Sequence, residues 1–97
     1  MIRHIALFRF ADGIAPEDVS NLDVALARLP SLISAIEAYD TGSDLGITTG
    51  AWDYGIVADF ASQADYDAYA NHPDHIDVVT NIVKPLITDV ARIQFEV

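Results

Sequence analysis

No cysteine occurs in the chain, which excludes disulfide staples, thiolate metal sites and thiol nucleophiles. Basic residues are scarce, with 5 Lys and Arg against 15 Asp and Glu, a formal net charge of −10 at pH 7. Cationic contacts to phosphate supply most nucleic-acid affinity, so DNA, RNA and anionic membrane surfaces are poor partners. Nowhere do about eighteen apolar residues run together, and a membrane-spanning helix is not expected. The opening Met1 to Phe10 is interrupted by Arg3 and Arg9 and has no small-residue cleavage site, so it does not read as a secretory signal. A cytoplasmic location is the expectation. Gly42, Gly46 and Gly50 fall at spacings that match neither a dinucleotide fingerprint nor a P-loop, and they read as a hairpin loop. No GxSxG elbow or HExxH motif is present.

What the chain does have is apolar content: 52% of its 97 residues are hydrophobic. That is enough for one folded domain over residues 1–97. A chain of this size buries only roughly 60–65% of its unfolded surface. With no cross-links, further burial is expected from self-association.

Periodicity orders the elements. Ile2 to Phe10 alternates, with Ile2, His4, Ala6, Phe8 and Phe10 on one face and Arg3, Ile5, Leu7 and Arg9 on the other. Neither face is wholly polar, which predicts cover on both sides. Pro16, Glu17 and Asp18 open a helix, and Val19, Leu22, Leu26 and Leu29 continue it to a stop at Pro30. A second strand is predicted near Ala35 to Thr41, and a third from Tyr54 to Phe60. Ser62 with Asp65 opens a helix to about Asn71. His72-Pro73 interrupts it, and Asp74 is expected to cap another segment in which Ile76, Val79 and Val83 recur up to Lys84-Pro85. Leu86 to Val97 alternates as a last strand. The order βαββαβ predicts a ferredoxin-like α+β fold, a four-stranded antiparallel sheet with helices on one face. Ile5 and Leu7 on its open face predict face-to-face dimerisation.

The three histidines are the side chains that titrate near neutrality unaided. His4 lies on an inward strand face. His75 falls in the first turn of a helix, where the dipole keeps imidazole neutral, whereas Asp74 and Asp77 favour its charged form; the sequence leaves the balance open. His72 reads equally well as a helix cap. Tyr66 and Tyr69 share a helical face, and a tyrosine hydroxyl there can orient a carbonyl or exchange a proton with a histidine. The cluster His72, Asp74, His75 and Asp77 matches no strong zinc spacing, and no metal is expected.

Three segments, Ile2-Arg3-His4-Ile5-Ala6-Leu7-Phe8-Arg9-Phe10, Tyr54 to Phe60 and Tyr66-Asp67-Ala68-Tyr69-Ala70-Asn71-His72-Pro73-Asp74-His75, together resemble the stress-responsive A/B barrel (Dabb) family. The resemblance implies a homodimeric α+β barrel made of two ferredoxin-like sheets. His4, Tyr69 and His75 match the positions that a plant polyketide cyclase of the family uses around a cavity between sheet and helices. The resemblance therefore implies a cofactor-free intramolecular aldol or proton-transfer reaction on a small carbonyl compound. His75 would be the general base, with Tyr69 and His4 on carbonyl oxygens. Ala6, Phe8, Leu22, Leu26, Tyr39 and His72 complete the expected substrate-binding set. Two alternatives stand beside it. One is a non-catalytic stress-associated oligomer, and the other is a different dimeric-barrel enzyme, a cofactor-free monooxygenase or lactone isomerase, with Tyr39 and Trp52 near a cavity.

Overall fold

A computed structural model describes residues 1–97. Its strands are β1 (Ile2–Phe10), β2 (Ala38–Ser43), β3 (Tyr54–Phe60) and β4 (Ile87–Glu96), and its helices are α1 (Pro16–Leu32), α2 (Gln63–Ala70) and α3 (Pro73–Val78). The strands form one sheet in the order β2-β3-β1-β4, with every pairing antiparallel. This is the ferredoxin-like α+β arrangement that the element order predicts. No helix is long and apolar enough to cross a membrane.

The alternation in β1 sorts its side chains as expected: His4, Ala6 and Phe8 are buried. Register extends that inner layer across the sheet, because His4 pairs with Ala58, Ala6 with Ile56 and Phe8 with Tyr54. Leu22, Leu26 and Leu29 of α1 close over it. Tyr54 also donates to Asp23 Oδ1 at 2.6 Å, tying α1 to β3, and burial together with that bond pushes its pKa up to about 12. At the start of α1 the Asp18 carboxylate accepts from Ala15 N–H at 3.0 Å, half of a capping box, since Ala15 has no side-chain oxygen to complete it.

Several local expectations are corrected. Pro30 lies inside α1 and does not stop it. It is exposed, its missing N–H removes one bond near the helix end, and Leu29 and Ile33 beyond it are both buried. The second strand begins three residues later than predicted, because Ile36 N–H turns back to Ile33 O and keeps Ala35 and Ile36 in a turn. Gly42 belongs to β2, opposite Gly55. Gly46 and Gly50, in the connecting loop, take positive φ of 73° and 79°, which glycine adopts without a Cβ penalty.

The helical segment after α2 departs most. Asp74 does not cap it; His72 does, its Nδ1 accepting from Asp74 N–H at 3.1 Å, with Pro73 as the first helical residue. Val78 is the buried residue here, whereas Ile76 is half exposed. The predicted single helix breaks into α3, a π turn over Val79–Val83 and a 3₁₀ turn over Lys84–Leu86.

Candidate functional site

Between the inner face of the sheet and the α2–α3 segment lies a cavity of about 210 Å³. It is smaller than the roughly 300–1,000 Å³ of pockets for drug-sized ligands, and most of its walls are apolar. Its histidines and tyrosines come from three places. His4 enters from the central strand, Tyr66 and Tyr69 from α2, and His75 from α3.

The histidine tautomers follow from their partners. His75 Nδ1 is 3.1 Å from the Ala70 carbonyl, which only accepts, so Nδ1 carries the proton and Nε2 is a bare acceptor. Gln94 Nε2, which only donates, is 2.8 Å from His4 Nδ1, so the His4 proton sits on Nε2. The cavity therefore has one histidine arranged as a base and another arranged as a donor. Burial holds both neutral: it lowers the pKa of His75 despite the Ala70 carbonyl, and it lowers that of His4 to about 4, helped by the Arg92 guanidinium and the nearby His75 ring. Asp74 and Asp77, which the sequence sets against the dipole, are exposed, and Asp77 accepts from Asn81. Neither carboxylate contributes to the His75 shift, so the open balance resolves downward.

Tyr69 is 3% exposed. Its ring lies 4.2 Å from that of His75, tilted by 39°, and stands 6.3 Å from His4. Its hydroxyl is 3.0 Å from that of Tyr39. With Tyr39 donating, the Tyr69 proton is left free, and the bond offsets part of the upward shift that burial imposes on Tyr69.

Of the residues predicted for the site, His4, Ala6, Phe8, Leu26, Tyr69 and His75 line this one cavity. Three do not. Leu22 is fully buried in the core, Tyr39 stands behind Tyr69 as its hydrogen-bond partner, and His72 is spent as the α3 cap. Trp52 is also elsewhere, under the Arg9 guanidinium at 4.3 Å. His72, Asp74, His75 and Asp77 do not converge as a metal-holding group. Sequence reading missed Gln94, Arg92 and Lys84. The first two sit at a period of two on β4, and only pairing of Ala6 with Arg92 and His4 with Gln94 shows that Arg92 lines the cavity and that Gln94 reaches His4.

A linkage consequence follows for stability. The folded-state pKa of His4 lies below its usual 6.5, so unfolded chains bind the extra proton between about pH 6.5 and pH 4. Stability should therefore fall by up to roughly 3 kcal/mol as pH drops through that window. An NMR titration of the His4 ring checks this, and a midpoint near 6.5 would contradict it.

Comparison with known proteins places the chain. Residues 2–97 match the Stress responsive A/B Barrel Domain, Dabb. The Arabidopsis thaliana stress-response A/B barrel domain-containing protein HS1 is 30% identical over 81 residues, which are 81% of this chain and 74% of that protein. A dimeric ferredoxin-like protein of unknown function from Thermobifida fusca superposes with a TM-score of 0.92 at 38% identity, covering 99% of this chain and 90% of the other. A hydroxynitrile lyase from Passiflora edulis, 15% identical over 99% of this chain and 92% of its own with a TM-score of 0.86, shares the fold. With the family match spanning all but the first residue, this chain belongs to the stress-responsive A/B barrel family.

Proposed function

We propose that the protein is a homodimer whose intramonomer cavity binds a small carbonyl compound and catalyses cofactor-free proton transfer α to the carbonyl, as in an aldol cyclisation. The observation that carries this is the His75 tautomer: the 3.1 Å bond from Nδ1–H to Ala70 O leaves Nε2 as an unprotonated base in a largely apolar cavity. His75 Nε2 takes the proton from the α carbon as the C–H bond breaks. Tyr69 O–H and His4 Nε2–H donate to the oxygen on which negative charge collects. The enolate carbon then attacks a second carbonyl of the same molecule. A carbon–carbon bond forms, the new alkoxide takes a proton from Tyr69, and His75 returns its proton to Tyr69. Atoms and charge balance with no cofactor.

The test is hydrogen–deuterium exchange at the α carbon of a neutral aryl ketone, butyrophenone, followed by proton NMR in D₂O. Protein-dependent exchange supports the reading. Exchange at the buffer rate overturns it in favour of a non-catalytic oligomer, a role in keeping with the stress-response name of the Arabidopsis relative.

Dimerisation draws support from the outer face of the sheet. Ile5 pairs there with Ile93, Leu7 with Ala91 and Arg3 with Phe95. Ile93 and Phe95 on β4 and Val97 just beyond it are 56%, 43% and 55% exposed, an apolar strip at the edge of the sheet. The Thermobifida relative of 38% identity is itself described as dimeric. Ile93→Asp should place an unpaired charge in a sheet-to-sheet contact and weaken association by at least about 100-fold. Light scattering at micromolar concentration should show a dimer for the parent chain and a monomer for the variant. A dimeric variant would place the interface elsewhere.

A further inference from the structure

The chain has only 5 basic side chains, and their placement is uneven. Arg3 is held by Asp59 through two bonds of 2.8 and 2.9 Å on the outer face of the sheet. Arg9 lies over Trp52 and bonds the Ala51 carbonyl. Arg28, on α1, borders a separate groove. The remaining two, Lys84 and Arg92, both line the cavity that holds His4, Tyr69 and His75. Neither forms an ion pair. No side-chain hydrogen bond occupies either of them, although the chain carries 15 carboxylates that could have done so. Both residues are exposed while the histidines and tyrosines of the same cavity are buried or half-buried, so the two cations stand where the cavity meets solvent.

The local fold delivers them there for different reasons. Arg92 pairs across from Ala6, in the same inner row as His4 and Gln94. Lys84 is brought round by the π turn: its N–H bonds back five residues to the Val79 carbonyl, which stacks Lys84 over Val79 on the cavity side. Such π insertions recur at functional sites because they re-aim side chains without breaking the helix. Pro85 follows directly, inside the 3₁₀ turn that runs from Lys84 to Leu86.

The geometry points to an anionic ligand for this cavity: a small keto acid whose carboxylate is held at the mouth by Lys84 and Arg92, with its apolar body and ketone carbonyl reaching inward to Tyr69 and His75. This rests on the reading that the cavity binds a carbonyl compound, and it adds the substrate class. Two cations kept free at one apolar mouth, in a chain of net charge −10, supply the local field and the donors that a carboxylate needs. A neutral ketone would leave both unused.

A matched pair of probes separates the two claims. 4-Oxo-4-phenylbutanoate and its methyl ester share the aryl ketone and differ in charge. Binding is read from the His75 ring resonances during titration. In the parent chain the acid should bind at least about tenfold more tightly than the ester. In a Lys84→Gln, Arg92→Gln double variant the acid should fall to the affinity of the ester, with the ester unchanged. Half-molar salt should narrow the parent's preference as well. Equal binding of acid and ester by the parent, or an acid preference that survives the double variant, overturns the anionic assignment and leaves the carbonyl cavity standing. If neither probe shifts His75 at millimolar concentration, the carbonyl cavity falls, and the anionic assignment falls with it.

Discussion

His75→Ala is expected to slow ketone α-proton exchange by ~10²–10⁴-fold, the usual contribution of a positioned general base. The fold should tolerate the change. His75 is half-buried, and its one hydrogen bond is to the Ala70 carbonyl at the end of α2, so the structural loss is on the order of 1 kcal/mol. The pH dependence carries its own sign. A base works in its neutral form, and burial lowers the His75 pKa from 6.5. Exchange should therefore rise with pH through the acid range and already be level at pH 7. An optimum well above neutrality, as carboxylates beside the ring would produce, is not expected, because Asp74 and Asp77 point to solvent. Unchanged exchange in His75→Ala, with catalysis intact, would remove His75 from the mechanism. Tyr69→Phe separates the partner role: it keeps the ring against His75 at 4.2 Å and removes the proton offered to the carbonyl oxygen, together with the hydroxyl that accepts from Tyr39.

Phe60→Ala should produce the largest loss of stability. Phe60 is fully buried, and its ring lies 5.0 Å from that of Tyr69 and 5.6 Å, edge-on, from that of Tyr66. Removing it deletes the contacts of a whole aromatic ring and leaves a cavity, at a cost of about 3–5 kcal/mol. Against a total of roughly 5–15 kcal/mol for a domain of this kind, that is a fall in melting temperature on the order of 15–30 °C. Thermal unfolding by circular dichroism measures it, and a loss below about 1 kcal/mol would show that the core can collapse around the gap. Phe60→Leu keeps most of the volume and should cost far less. Because Phe60 is the backing of Tyr69, the leucine variant should stay folded yet exchange ketone protons more slowly. Stability and site geometry thus meet in one side chain at the end of β3.

Several features were legible in the residues because they depend on short-range rules. Alternation through Ile2 to Phe10 put His4, Ala6 and Phe8 on one face, and burial of all three follows it. Ser62, with Asp65 three residues on, opens α2 as a capping residue should, its side chain accepting from Asp65 N–H. Where the reading failed, a longer-range term outweighed a local preference. Pro30 disfavours a helix interior, but burial of Leu29 and Ile33 carries α1 past it. Asp74 is a good cap by type, but His72 takes the position because Pro73 is better placed as the first helical residue. The evenly spaced Ile76, Val79 and Val83 suggested one regular helix, yet the chain widens into a π turn from Val79.

The candidate site divides along the same line. Strand alternation and helical spacing put His4 on an inward face and Tyr66 and Tyr69 on a shared one, and the resemblance to the A/B barrel family singled out His4, Tyr69 and His75 together. Charge balance and the absence of cysteine were enough to turn attention away from nucleic acid and thiol chemistry. What those histidines are depended on contacts no local pattern encodes. Gln94, ninety residues from His4 in the chain, sets which nitrogen of His4 bears the proton. Ala70 does the same for His75 only because α2 ends where α3 folds back beside it. Arg92 and Lys84 became neighbours of the site through strand register and a π turn. Side-chain direction is fixed by local backbone periodicity, whereas protonation, tautomer and electric field are set by whichever groups the tertiary fold brings within a few ångströms.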